Sequence, residues 1–171
     1  MSNLKLRVGV ISAKNLAAAD KTGFSDPYAV VRVNEKKYTT KVVKQDLNPV
    51  WNFEFDIPIQ VGKVPLLFNV TVWDKDTFGR DFLGEISIPF KNCFDRNALG
   101  LSDGVPRHYN DPENNPQWFS LNKRMEKNNV SGDIQIKFGF MEEYVRDPQQ
   151  QVSTLSHLSR CIVNQKTLKL L

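Results

Sequence analysis

Cysteine, histidine and long apolar runs are what this 171-residue chain has least of. Its two cysteines, Cys93 and Cys161, are too few and too far apart for a disulfide framework, and both are read as reduced thiols. Its two histidines, His108 and His157, stand isolated, one in a polar connection and one near the C-terminus. The sequence also lacks a P-loop, a Gly-x-Ser-x-Gly elbow and a zinc motif, so no catalytic residue is expected within it. No stretch approaches the roughly 18 apolar residues that a membrane span requires. Met1 to Ile11 alternates apolar and polar residues, which suits a strand and not a signal peptide. Lysine and arginine outnumber aspartate and glutamate by 23 to 19, yet they are scattered along the chain. A nucleic-acid binder masses its basic residues on one element, so no nucleic-acid partner is expected. The expected location is cytoplasmic, with any membrane met reversibly at its cytosolic face.

Against these absences stands an ordinary globular composition, 40% hydrophobic and 25% charged, long enough for one domain with a sizeable core. Period-2 alternation recurs along it. Leu4, Leu6, Val8 and Val10 share one face. Ala29, Val31 and Val33 repeat the pattern, followed by Tyr38, Thr40 and Val42. Trp51, Phe53, Phe55 and Ile57 alternate with Asn52, Glu54 and Asp56. Phe68, Val70 and Val72 come next, then Ile86, Ile88 and Phe90, then Phe119 with Leu121, and last Ile134, Ile136, Phe138 and Phe140. Turn residues separate the runs at Asn34-Glu35, Leu47-Asn48-Pro49, Gly62 to Pro65 and Ser131-Gly132. The pattern predicts an all-β, eight-stranded antiparallel β-sandwich over residues 1–141.

Two segments break the rhythm. Residues 91–116 form a long polar connection, read as an insertion, and Phe90, Cys93, Phe94 and Ala98 have the spacing of a short helix at its start. Residues 142–171 form a tail in which Asp147-Pro148 resembles a helix start. Val152, Leu155, Leu158 and Ile162 then share a helical face, so a helix docked on the sandwich or leading to a further domain is expected.

Acid concentrates in two connections. Asp20 and Asp26 lie between the first two strands, and Asp74, Asp76 and Asp81 follow the fifth. Brought to one end of a sandwich, these carboxylates would repel by about 4 kcal/mol for each pair ~4 Å apart at an effective dielectric of ~20. Such crowding is tolerable with cations inside it. Calcium suits it, because it accepts about 6–8 oxygens in loose geometry. Neither loop holds a cysteine or histidine, which argues against zinc and copper. Asp74-x-Asp76-x-Phe78-Gly79 with Glu85 partly fits an EF-hand loop. Phe78 occupies a ligand position of that motif, however, and strands rather than helices flank it.

The segment Asp20 to Tyr28 with its Ser25-Asp26-Pro27-Tyr28, then Leu47-Asn48-Pro49-x-Trp51, then Trp73-Asp74-x-Asp76 with Asp81-Phe82-Leu83-Gly84, resembles the C2 domain family from Leu4 to about Met141. The order of strands resembles its circularly permuted type II topology. The resemblance implies that Asp20, Asp26, Asp74, Asp76 and Asp81 ligate calcium, joined by the carbonyls of Lys21 and Lys75. Gly79 stands where some members carry a serine that helps a third ion, so two ions are expected. Phe24 and Phe78 fall at loop tips that enter lipid in relatives. A second lipid site on a sheet face would use Tyr28, Arg32, Lys37, Lys41 and Trp73. Thr39 stands where relatives with that site carry a lysine.

The function so implied is calcium-dependent binding of anionic phospholipid membranes, recruiting the parent protein to a membrane; further domains of that parent, a catalytic one included, are compatible with this reading. Five carboxylates and two calcium ions leave one net negative charge, which lets an anionic bilayer approach. The alternative is a calcium-independent protein-interaction module on the same scaffold. Loss of one or two aspartates would favour it, and all five are present.

Overall fold

The computed structural model describes residues 3–20, 23–59, 64–94 and 106–143. Eight strands form two antiparallel sheets: β1 (Asn3–Lys14), β2 (Pro27–Val33), β3 (Lys36–Thr39), β4 (Val50–Pro58), β5 (Leu67–Asp76), β6 (Gly79–Pro89), β7 (Gln117–Ser120) and β8 (Asp133–Glu143). One sheet has the order β4-β1-β8-β7 and the other β3-β2-β5-β6. The first and last strands are neighbours at the centre of the first sheet, the arrangement expected of a permuted chain. The alternating residues meet between the sheets, where Leu6, Val10, Ala29, Phe68 and Ile134 are fully enclosed. At roughly 25 cal/mol per Å² this buried apolar surface is the main stabilising term.

Two irregularities position the functional end. In β6, Gly84 pairs with Val72 and Phe82 with Trp73, which leaves Leu83 as an extra residue. Below this bulge the even-numbered residues Ile86 and Ile88 face the core; above it the parity inverts. The inversion sets Asp81 directly across from Asp74 on the inner face. Gly84 permits it: its φ is +141°, and a Cβ there would lie 2.8 Å from Leu121 Cβ. The β1 register likewise shifts between Val10 and Ser12.

Two expectations change. β3 stops at Thr39, so the run Tyr38, Thr40, Val42 is not one strand. Thr40 turns inward, its Oγ1 accepting the Ala29 N–H at 2.9 Å, and Val42 is exposed. The expected short helix is a single 3₁₀ turn, Phe90–Asn92, after which Cys93 and Phe94 enter the core; Ala98 lies outside the described residues. The tail helix also lies outside them, with Cys161 and His157.

The described part of the long connection is fastened to the first sheet. The Tyr109 N–H donates to the Phe140 carbonyl and the Phe140 N–H to the Arg107 carbonyl, both at 2.8 Å. Tyr109, 4% exposed, lies over Gly9 and Gly139 and donates its hydroxyl to Glu54 at 2.9 Å. Burial first, and the Glu54 bond second, hold its phenol far above the ordinary range.

Candidate metal centre

The loop between β1 and β2 is shaped by Ser25, which is fully buried. Its hydroxyl donates to the Ala17 carbonyl and accepts from the Ala19 N–H, both at 3.0 Å, drawing the two limbs of the loop together. Beside it, the Asp46 N–H donates to the Ser25 carbonyl at 2.9 Å. The Asn48 carboxamide accepts from the Asn15 N–H at 2.9 Å, and the Trp51 indole donates to the Pro27 carbonyl at 3.3 Å. The Leu47-Asn48-Pro49-x-Trp51 motif thus acts as a frame for the aspartate loop.

In β5 the alternation that sends Phe68, Val70 and Val72 inward makes Asp74 the next inward residue, and it is 0% exposed. Its Oδ1 accepts the Asp26 N–H at 2.5 Å; its Oδ2 is buried with no hydrogen-bond partner. Carboxylate oxygens of Asp20, Asp74 and Asp76 all lie within 4.8 Å of one another. The Asp26 carboxylate accepts the Gln45 N–H at 2.8 Å, and the Asp26 carbonyl accepts the Lys75 N–H at 3.0 Å. Asp20, Asp26, Asp76 and Asp81 line one open cavity of about 700 Å³, with Ala19, Lys44 and Gln45 at its rim.

The structure therefore brings all five aspartates to one pole. Lys21 lies outside the described residues. Burial is the largest influence on the Asp74 carboxyl and raises its pKa. The Asp26 N–H opposes that rise, and Asp20, Asp76 and Asp26 add to it. A buried carboxylate with one orphaned oxygen and like-charged neighbours is costly by itself, and a hard cation with oxygen ligands fits it.

Phe78 stands at the tip of the β5–β6 hairpin, 100% exposed, and Phe24 on the neighbouring loop is 45% exposed. On the outer face of the second sheet, Tyr28 pairs with Trp73 and Arg32 with Lys37. Lys41 lies beyond the end of β3, off the ladder that aligns the others. Trp73 is not an open ring. The Arg80 guanidinium lies 4.0 Å from its centroid and Phe82 meets it edge-on at 5.7 Å. The clasp of Ser25, the rim residues Lys44 and Gln45, and the parity inversion at Leu83 have no signal in the sequence pattern.

A family model described as C2 domain matches residues 4–121. The Rho GTPase-activating protein gacEE of Dictyostelium discoideum is 33% identical over 134 residues, 77% of this chain and 20% of that protein. The Multiple C2 and transmembrane domain-containing protein 1 of Mus musculus is 43% identical over 113 residues, 63% of this chain and 11% of that protein. The chain spans between 10% and 20% of the length of such curated relatives. Among solved structures, the calcium-bound pair of C2 domains from Extended-Synaptotagmin 2 superposes with a TM-score of 0.57 at 20% identity. That superposition covers 82% of this chain and 46% of the other, and is a likeness of fold.

Proposed function

The chain belongs to the C2 domain family, and on that premise we propose that it binds two calcium ions at the aspartate pole and, with them, anionic phospholipid. The observation that carries this reading is the buried Asp74 Oδ2, without a hydrogen-bond partner and beside the carboxylates of Asp20 and Asp76. Asp20, Asp26, Asp74, Asp76 and Asp81 would hold the ions, with the carbonyls of Lys21 and Lys75. Bound calcium supplies positive charge where the empty loops are acidic, and open coordination positions that lipid phosphate oxygens can fill.

The chain's own residues do the rest. Asp26 joins the two loops through its N–H to Asp74 and its carbonyl to Lys75, so the carboxylates are held in place before any ion arrives. Phe24 and Phe78 present apolar surface at the same pole. Burying them in a lipid interface would contribute roughly 1.5–3 kcal/mol apiece. Tyr28, Arg32 and Lys37 offer basic and amphipathic contacts lower on the sheet. Within a longer parent chain the module would deliver neighbouring domains to the cytosolic face of a membrane.

Calorimetric titration of calcium into the wild-type chain should give saturable binding with two ions per chain, and Asp74→Asn with Asp76→Asn should abolish it. Unaltered binding in that double variant would sink the assignment.

A further inference from the structure

The acidic cavity is not walled by acid alone. Among the described residues lining it, Lys44 is the one cationic side chain, beside Asp20, Asp26, Asp76 and Asp81. Its place there is imposed by the backbone on either side of it. The Val43 N–H donates to the Pro27 carbonyl at 3.1 Å and the Gln45 N–H to an Asp26 carboxylate oxygen at 2.8 Å. The Asp46 N–H donates to the Ser25 carbonyl at 2.9 Å. The β3–β4 connection is thereby pinned to the aspartate loop at three points, two of them next to Lys44. Gln45 takes a φ of +53°, a left-handed conformation that persists only where surrounding contacts hold it.

The Lys44 side chain itself is uncommitted. It is exposed and forms no ion pair among the described residues. Asp46, the nearest acid in sequence, is not part of the cavity wall, and its Oδ1 accepts the Asn48 N–H at 2.7 Å. Lys44 is therefore anchored through its backbone and free at its ammonium. A lysine ammonium on its flexible four-carbon stem can enter such a cavity or leave it.

We infer that Lys44 is a tethered counter-ion of the empty pole: its ammonium offsets part of the aspartates' mutual repulsion, and calcium has to displace it. The inference rests on calcium being the ion bound at this pole, and it makes Lys44 the residue that sets the calcium concentration at which the pole fills. A unit charge about 8 Å from a divalent ion weakens binding of that ion roughly fivefold at the dielectric of water. The threshold is thus adjusted from the β3–β4 connection, which supplies none of the five aspartates.

The test is calorimetric titration of calcium into the whole chain, without lipid, at low ionic strength. Lys44→Gln should tighten calcium binding roughly fivefold, and Lys44→Arg, which keeps the charge, should bind as wild type does. Lys91→Gln removes the same charge just past the far end of β6, about 30 Å away, and should leave the affinity within about twofold. In 1 M salt, where the Debye length is ~3 Å, the gain from Lys44→Gln should vanish, whereas a gain caused by repacking would persist. Affinity unchanged or weakened in Lys44→Gln, a gain of the same size in Lys91→Gln, or a gain untouched by salt would each overturn the inference. Thermal melts in chelator read the counter-ion without calcium. There Lys44→Gln should melt below wild type and Lys44→Arg with it; equal melting of Lys44→Gln and wild type would overturn the compensation. A wild type that binds no calcium would defeat the calcium reading and the displacement together, and the same melts would still decide whether Lys44 compensates the empty pole.

Discussion

Asp74 occupies a position that β5 would otherwise give to a fourth inward apolar residue, after Phe68, Val70 and Val72. Burial holds its carboxyl above the ordinary 3.8, so the folded chain takes up a proton at a pH where the unfolded chain does not. Metal-free stability therefore rises as pH falls from neutral through that raised value, and the gain is complete near 3.8. Asp56 works the other way. Its bond to Arg7, at 2.7 Å, holds it below 3.8, so its contribution is full above that value and is lost as pH falls through the lowered one. Thermal melts in chelator should show Asp74→Asn stabilised at neutral pH by about 1–3 kcal/mol, the cost of a buried unsatisfied group. The same melts should show the variant without the rise in mild acid. A variant less stable than wild type at neutral pH would mean that the carboxylate is not under strain. At this scale the sequence displayed the aspartates and their spacing. It could not display the orphaned Oδ2, which depends on where the Asp26 N–H and the neighbouring carboxylates arrive in three dimensions.

Among the elements, strands were the most legible, because period-2 alternation is a local property. Legibility failed where tertiary contacts break the period. Thr40 leaves β3 because its hydroxyl substitutes for a ladder partner at Ala29. The helical spacing of Phe90, Cys93 and Phe94 is met by one 3₁₀ turn that buries Phe90, with Cys93 and Phe94 taken into the core after it. The Leu83 bulge was invisible, since a one-residue insertion shows only against its partner strand. Without it, Asp81 would face outward. The loops carry the next prediction. Phe24→Ala with Phe78→Ala should weaken vesicle binding by a margin that persists at high salt. The Debye length shrinks from ~10 Å at 0.1 M to ~3 Å at 1 M and leaves the apolar part untouched. Two removed phenyl groups at roughly 1.5–3 kcal/mol each predict a loss well over tenfold, read by sedimentation in both salts. Identical binding of variant and wild type at high salt would remove lipid insertion from the mechanism.

Across the molecule, a formal charge of +4 coexists with an acidic pole. On the proposed reading the empty acidic pole would repel an anionic surface that the Arg32–Lys37 face would attract, and bound calcium would shift the balance between them. The sandwich keeps this arrangement fixed because both aspartate loops emerge from strands locked at the centre of the two sheets, β1 between β4 and β8 and β5 between β2 and β6. Fold class was readable from the chain, and so were the aspartates that the fold brings to one pole. Which faces carry which charge was not, because that follows from register. The most direct measurement of the central claim is sedimentation with phosphatidylserine-containing vesicles, in chelator and in calcium at physiological salt, for wild type and Asp74→Asn with Asp76→Asn. The account predicts strong binding of the wild type in calcium, weak binding in chelator, and no calcium response in the variant. Equal wild-type binding in the two conditions would contradict it.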